Sequence, residues 1–439
     1  MKIILLILLI TLILRLFLSN LGFHVDILSI AGWGKWIYEN GLKGFYENEV
    51  WIYSWPTQLP LANILYWLDY ELYKKIGDLF VLISSTIANY RLAPTKFLWW
   101  FDFVKWFGGS LYKPTWFLVG YLKTIKFIAI LSDLALATII YFLAKRIDKN
   151  RAILLSGFYL FAPFSIYLSA IWGQYDQLTI LLFFLSMIFL LKRWLYLAPV
   201  VLAISIGIKP TTLIFIPLFL WLYFKQNPSI KHILVGSVSV VVIFLYSTYL
   251  FTDNNIFEFI RRDLIKIVFQ KAEFRVSTHS YNFWHILIGN RALPQDYPFL
   301  FIPAKIWGYA AFLYLNILAF KTLKKVSMEN MFKAMFLIGA GGWLFLTNML
   351  ERYFFAGILS LLLLCIYQPK LLKYWVVLSL IYWINLYDSF WFPEIFNPLK
   401  EILIWQDGLV TRFLSLINIA IFIRVIMLIK PSLNWRLFK

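Results

Sequence analysis

A single cysteine, Cys365, excludes an intramolecular disulfide, and its place in the apolar run 361–367 reads as a small packing residue. Charge is scarce: 14% of residues are Asp, Glu, Lys or Arg, against roughly 25% in soluble domains. Acidic groups are scarcer than basic ones, 22 against 41, and histidine occurs only four times. No His/Cys/Asp spacing suggests a metal site, so neither a metal nor another cofactor is expected. Internal repeats, heptads and low-complexity tracts are missing as well. The formal charge of +19 does not point to nucleic acid, because the cations are divided among many loops and no soluble basic domain gathers them. Part of that excess is topological, and the rest can attract lipid phosphates.

What is present is hydrocarbon and aromatic surface. The 439 residues are 62% hydrophobic and 20% aromatic, with a mean hydropathy of +0.75. The expectation is an all-α, polytopic membrane protein with a single transmembrane domain over 1–439 and about twelve (11–13) helices, each near 20 residues. Candidate spans fall at 1–20, 124–144, 152–171, 177–192, 195–208, 211–224, 232–251, 299–320, 332–347, 353–368, 373–388 and 409–429. The first lacks a small-residue cleavage site and reads as a retained span, with Arg15 snorkelling to the interface. Charges at Asp69, Glu71, Lys74, Lys75 and Asp78 interrupt the apolar region 57–90, which therefore reads as interfacial helices. Every even-numbered exit is basic, as at Lys145-Arg146, Lys192-Arg193, Lys225, Lys321, Lys370 and Lys430, which puts both termini in the cytoplasm. Two long segments, 21–120 and 252–298, then face outward and are expected to cap an active site.

That topology gathers polar groups at one outer rim. Ile171-Trp172-Gly173-Gln174-Tyr175-Asp176 packs an indole, an amide, a phenol and a carboxylate into one interhelical turn. Trp172 and Tyr175 suit an interfacial belt, whereas Gln174 and Asp176 exceed what a turn needs. Asp26 either caps the helix that follows it or serves as a general base. His24, two residues earlier, is either a partner for Asp26 or, the favoured reading, a solvated interfacial histidine. Lys209-Pro210 sits where few cations are expected, and either snorkels to headgroups or binds a specific anion. Glu351-Arg352 is either a self-neutralised pair or a guanidinium fork for a phosphate. Arg275 and His279 add donors from the second long segment. Asp133, inside the second span, must be paired or protonated.

In Ile130-Leu131-Ser132-Asp133, Ala162-Pro163, Trp172–Asp176, Gly207-Ile208-Lys209-Pro210, Ser280-Tyr281-Asn282-Phe283-Trp284 and Asn348-Met349-Leu350-Glu351-Arg352-Tyr353, the chain resembles the GT-C superfamily of polytopic glycosyltransferases. Within that superfamily it is most similar to prokaryotic relatives of the GPI-anchor mannosyltransferases. The resemblance implies a polyprenyl- or dolichyl-phosphate sugar donor and a glycan or lipid acceptor. It also implies a catalytic carboxylate at Asp26 and a donor phosphate near Lys209 and Arg352, with Arg275 and His279 as further candidates. Substrate contacts are expected from Trp172, Gln174, Tyr175, Asp176, Asn282, Trp284 and Glu351. Three positions depart from the family pattern. Leu350 stands in place of a histidine, with His279 the candidate to supply an imidazole from elsewhere. Trp55-Pro56-Thr57-Gln58 stands where relatives have Tyr-Pro-Pro, and Asp26 has no adjacent carboxylate.

The expected reaction is transfer of a hexose, mannose first, to an acceptor hydroxyl outside the membrane, with inversion. A GT-C-type polymerase or ligase of lipid-linked glycans is the nearest alternative. A transporter would show two similar halves, and none is visible. Lys/Ile/Phe-rich usage suggests a prokaryotic cytoplasmic membrane.

Overall fold

The computed structural model describes residues 2–20, 24–48, 50, 56–84, 116–253, 255–266, 274–289, 291–390 and 396–429. Much of the first long segment (85–115), part of the second (267–273), Trp55 and the C-terminal cations Lys430, Arg436 and Lys439 lie outside the described residues.

The chain is helical almost throughout. The elements that build the site are α1 (Lys2–Leu18), α2 (Val25–Asn40), α3 (Pro60–Ser84), α4 (Trp116–Lys145), α5 (Lys149–Phe161), α6 (Pro163–Trp172), α7 (Asp176–Leu191), α8 (Leu197–Ile208) and α9 (Pro210–Lys225). They are followed by α10 (Ile230–Tyr249), α11 (Ile256–Phe259), α12 (Phe283–Ile288), α13 (Ala304–Thr322), α14 (Met328–Phe345), α15 (Phe355–Leu364), α16 (Leu372–Asp388) and α17 (Asn397–Ile429). Among the described residues the only sheet is a hairpin, β1 (Pro298–Phe299) with β2 (Ile302–Pro303). It delays the eighth apolar range: α13 starts at Ala304, because Leu300 and Phe301 turn the chain at positive φ.

Each of the twelve apolar ranges carries a helix. Among the described residues three are long and apolar enough to cross a membrane: Gly120–Lys145, Ile230–Tyr249 and Gly408–Ile429. The pair α5–α6, bent by 51° at Ala162-Pro163, adds a fourth if counted as one span. Proline has no N–H to continue the ladder, which accounts for the bend.

The bend frees the Leu160 carbonyl, and Arg15 of α1 takes it at 2.8 Å. Arg15 therefore does not snorkel. It is fully buried and bonds Ser165 Oγ (2.6 Å), Ser169 Oγ (3.3 Å) and Asp133 Oδ2 (3.4 Å). Tyr159 and Ser165 also donate to Asp133, so this carboxylate has the interhelical partners that its burial demands.

Two cores flank the site, and a third small cluster forms around Trp284. The largest runs through the bundle and includes Trp172. The second is aromatic, built by α2, α3, the start of α4 and the turn after α2 from Trp33, Tyr46, Tyr66, Tyr70, Tyr73 and Tyr121, and it includes Tyr175. The Trp172–Asp176 turn thus straddles the seam between them.

Candidate active site

The turn is shaped by its backbone. The last turn of α6, Tyr167–Trp172, is a π-helix, and Gly173 ends it at φ 82°. A side chain at 173 would be strained by that φ and would also stand 2.6 Å from Ile27 Cδ1 and 2.8 Å from Lys126 Cγ. Gln174 and Tyr175 follow, and Asp176 opens α7, where the helix N-terminus favours a carboxylate.

Asp26 lies in the first turn of α2 and does not cap it. The cap is His24, whose Nδ1 accepts the Asp26 backbone N–H at 3.0 Å. His24 is buried between the rings of Trp172 (4.1 Å) and Phe390 (3.6 Å), so it is not a solvated histidine. Released from capping, the Asp26 carboxylate reaches the seam. Its Oδ2 accepts from Gln174 Nε2 at 2.6 Å and from Trp172 Nε1 at 3.3 Å, and lies 3.8 Å from Arg352 Nη1.

Lys209 takes the extended backbone that the following proline requires and ends α8. Its Nζ donates to Asp176 Oδ2 at 2.6 Å and to Gln174 Oε1 at 3.3 Å. The Gln174 amide therefore joins Asp26 to Lys209, with its nitrogen on the anion and its oxygen on the cation. Arg352 stands in the 3₁₀ turn Glu351–Phe354, where Nη1 donates to Glu351 Oε1 at 2.9 Å. Its guanidinium lies 5.6 Å from the Trp172 ring, and its buried Nε has no partner among the described residues.

These groups border a cavity of about 240 Å³ lined by Asp26, Ser29, Ile30, Trp33, Thr57, Gln58, Tyr66, Gln174, Tyr175, Ile208, Lys209 and Arg352. Burial pushes the Asp26 carboxyl up, but His24, Arg352, Lys209 and the Trp172 N–H outweigh it and hold the group below the usual carboxylate range. Burial drives His24 down to about 3, so near neutral pH the cations facing Asp26 are Arg352 and Lys209. Burial also opposes charge on Arg352, but Glu351 and Asp26 more than restore it. Asp26 is thus an ionised carboxylate with an exposed edge, flanked by two cations.

Five of the twelve residues singled out from sequence line this cavity: Asp26, Gln174, Tyr175, Lys209 and Arg352. Three stand behind it. Trp172 bonds Asp26, Asp176 bonds Lys209 and Glu351 bonds Arg352, and none of the three lines the cavity. The other four are not brought to it. Asn282, expected to touch substrate, is fully buried, caps α12 and donates to the Trp343 carbonyl at 3.3 Å. Trp284 is buried with its Nε1 on the Phe345 carbonyl at 2.8 Å. Arg275 accepts the Asn348 N–H at its carbonyl, and the His279 carbonyl accepts from Asn385. With Ser280 Oγ on the Met349 carbonyl and a bridge between Thr278 and Leu350, this segment fastens the stretch of chain that leads to Arg352. The imidazole beside Asp26 is that of His24, and neither it nor His279 lines the cavity.

Ser29, Ile30, Trp33, Thr57, Gln58, Tyr66 and Ile208 also line the cavity and are not among the residues singled out from sequence. The first three follow Asp26 at i+3, i+4 and i+7, a helical stripe that was legible in the sequence. Thr57 and Gln58 were noted only as a departure from a family pattern. Among the described residues no group of three His, Cys, Asp or Glu side chains could hold a metal ion.

The family model described as glycosyltransferase family 87 matches residues 114–345, more than half of the chain. No curated protein matches the sequence. The matched segment carries Asp133, the Trp172–Asp176 turn, Lys209 and the Asn282–Trp284 loop, while Asp26 and Arg352 lie outside it. By that match the chain belongs to glycosyltransferase family 87, and is a membrane glycosyltransferase that acts on a sugar donor and an acceptor.

Proposed function

We propose that the enzyme transfers a hexose, mannose in the first instance, from a polyprenyl-phosphate sugar to an acceptor hydroxyl, as relatives of the GPI-anchor mannosyltransferases do. The cavity faces the outside of a prokaryotic cytoplasmic membrane, in a bundle of about twelve spans with both termini inside. The observation that carries this reading is the junction of Asp26 with Arg352 and, through Gln174, with Lys209 on one cavity.

Asp26 accepts the acceptor hydroxyl proton while that oxygen bonds the anomeric carbon. The bond from that carbon to the phosphate oxygen breaks on the opposite face, so the configuration inverts. The departing polyprenyl phosphate keeps the electron pair as a phosphate monoester. It is a weak base and needs no separate acid, only stabilisation of its growing charge. Lys209 and Arg352 supply this, and the unpartnered Arg352 Nε is a donor held ready for a phosphate oxygen. The tail of the donor lies between spans, with its phosphate at the rim.

The test is transfer from labelled polyprenyl-phosphate mannose and glucose by purified protein in lipid nanodiscs. Transfer that Asp26→Asn abolishes supports the reading. A nucleotide sugar serving as donor in place of the lipid phosphate would refute it.

A further inference from the structure

The cavity has two chemically different halves. Its charged lining residues, Asp26, Lys209 and Arg352, are tied together at one end through Gln174. From Asp26 the wall continues along α2 through Ser29, Ile30 and Trp33, a distance of about 10 Å at 1.5 Å per residue. Along this stretch the lining residues are uncharged, with Thr57, Gln58 and Tyr66 facing from the α3 side.

The rings at this end form a row. Trp33 stacks near Tyr66 at 6.2 Å, and Tyr66 stacks on Tyr175 at 5.4 Å. The row is held rigidly from behind. Tyr175 OH donates to the buried Asp69 at 3.2 Å, and Gly34 brings α2 so close to α3 that an added Cβ would lie 2.4 Å from the Tyr66 carbonyl oxygen. Trp33 is only 3% exposed, yet its Nε1–H has no partner among the described residues. A buried indole N–H left without an acceptor is costly. Trp33 lines the cavity, so an acceptor group that packs against it there would offer the missing partner.

We infer that this neutral half is the acceptor subsite, that it takes an uncharged sugar, and that Trp33 determines its specificity by donating to one sugar hydroxyl. The inference rests on the transfer reaction proposed above. Aromatic faces suit the apolar C–H faces of a pyranose, and the hydroxyls of Ser29 and Thr57 and the Gln58 amide suit its hydroxyl edge. Among the described residues an anionic acceptor would find no cation lining this wall other than the two that serve the donor phosphate.

Two measurements test the inference. The first is binding of methyl glycosides of mannose, glucose and galactose to full-length protein in nanodiscs, without donor. At least one should bind saturably, and Trp33→Phe, which keeps a ring and removes only the N–H, should weaken it about fivefold to tenfold. The deoxy analogue lacking the bonded hydroxyl should bind the wild type and Trp33→Phe equally. The second is steady-state transfer, in which the Trp33→Phe defect should fall on the acceptor KM and not on the donor KM. Absence of saturable glycoside binding, a lower acceptor KM for a mannoside 6-phosphate than for methyl mannoside at saturating donor, or a defect confined to the donor KM would overturn the inference. Glycoside binding that survives while no polyprenyl-phosphate sugar supports transfer would instead count against the proposed reaction alone.

Discussion

Arg15 with Asp133 and Arg352 with Asp26 are both arginine–carboxylate pairs set between helices, and they differ in how their hydrogen-bonding capacity is used. The first pair is fully buried. Arg15 spends its donors on a carbonyl, two serines and Asp133, and Asp133 also accepts from Tyr159 and Ser165. Every strong interaction is closed, so the network can only hold α1, α4, α5 and α6 together. In the second pair the Asp26 side chain is 30% exposed, Arg352 approaches no nearer than 3.8 Å, and the Arg352 Nε is unpartnered. Capacity left open beside a cavity is available to a ligand. The same two functional groups therefore make a joint in one place and a site in the other.

The contrast can be broken experimentally, with the largest effect expected in the open network. Asp26→Asn should cut transfer by about 10²–10⁴-fold, the usual contribution of a general base, while folded yield holds. Near-normal transfer would remove Asp26 from the chemistry. In the closed network Asp133→Leu strands the Arg15 charge and should cost about 3–5 kcal/mol of stability, seen as lost folded protein. Adding Arg15→Met to that chain should recover most of the loss, and a stable single variant would show that the pair is not a joint. Arg352→Lys keeps the charge but loses the fork, and should raise the donor KM about tenfold with little change in melting temperature.

The smallest effect is a dependence on pH. His24 titrates at about 3 in the folded protein instead of 6.5. The unfolded chain therefore binds its proton first, and stability falls as pH drops from 6.5 toward 3. The loss should be about 0.8 kcal/mol at pH 6 relative to pH 8, read as a falling melting temperature. His24→Asn should flatten that slope, and an unchanged slope would refute the assignment.

The helices were legible because apolar runs of the right length leave few alternatives. So were the Gln-Tyr-Asp turn, Lys209 and Arg352, whose charges stand out in a poorly charged chain. Pairings were less legible. Nothing near Arg15 in sequence announces Asp133, 118 residues away, and an arginine at the end of an apolar run reads equally well as a snorkel. Asn282 and Trp284 illustrate a different failure. Polar and aromatic residues in a loop can recognise a ligand or satisfy backbone carbonyls, and here Trp343 and Phe345 supply the carbonyls. His24 reads from sequence either as a partner of Asp26 or as a solvated residue, and only the packing of Trp172 and Phe390 on its ring decides between them.

The wide final turn of α6 has a consequence for how this protein tolerates change in length. A π-turn is an α-helix that has taken in one extra residue by widening, so the residues after it keep the phase they would have in a regular helix one residue shorter. Deleting one residue from Tyr167–Trp172 would let the segment wind as an ordinary α-helix, with the indole that bonds Asp26 left near its present bearing. The same deletion in a regular helix would set every later side chain back by about 100°, the angle between successive residues. A loss of length that would turn the indole away elsewhere is thus absorbed here, and the glycine that needs a left-handed backbone still falls at the corner.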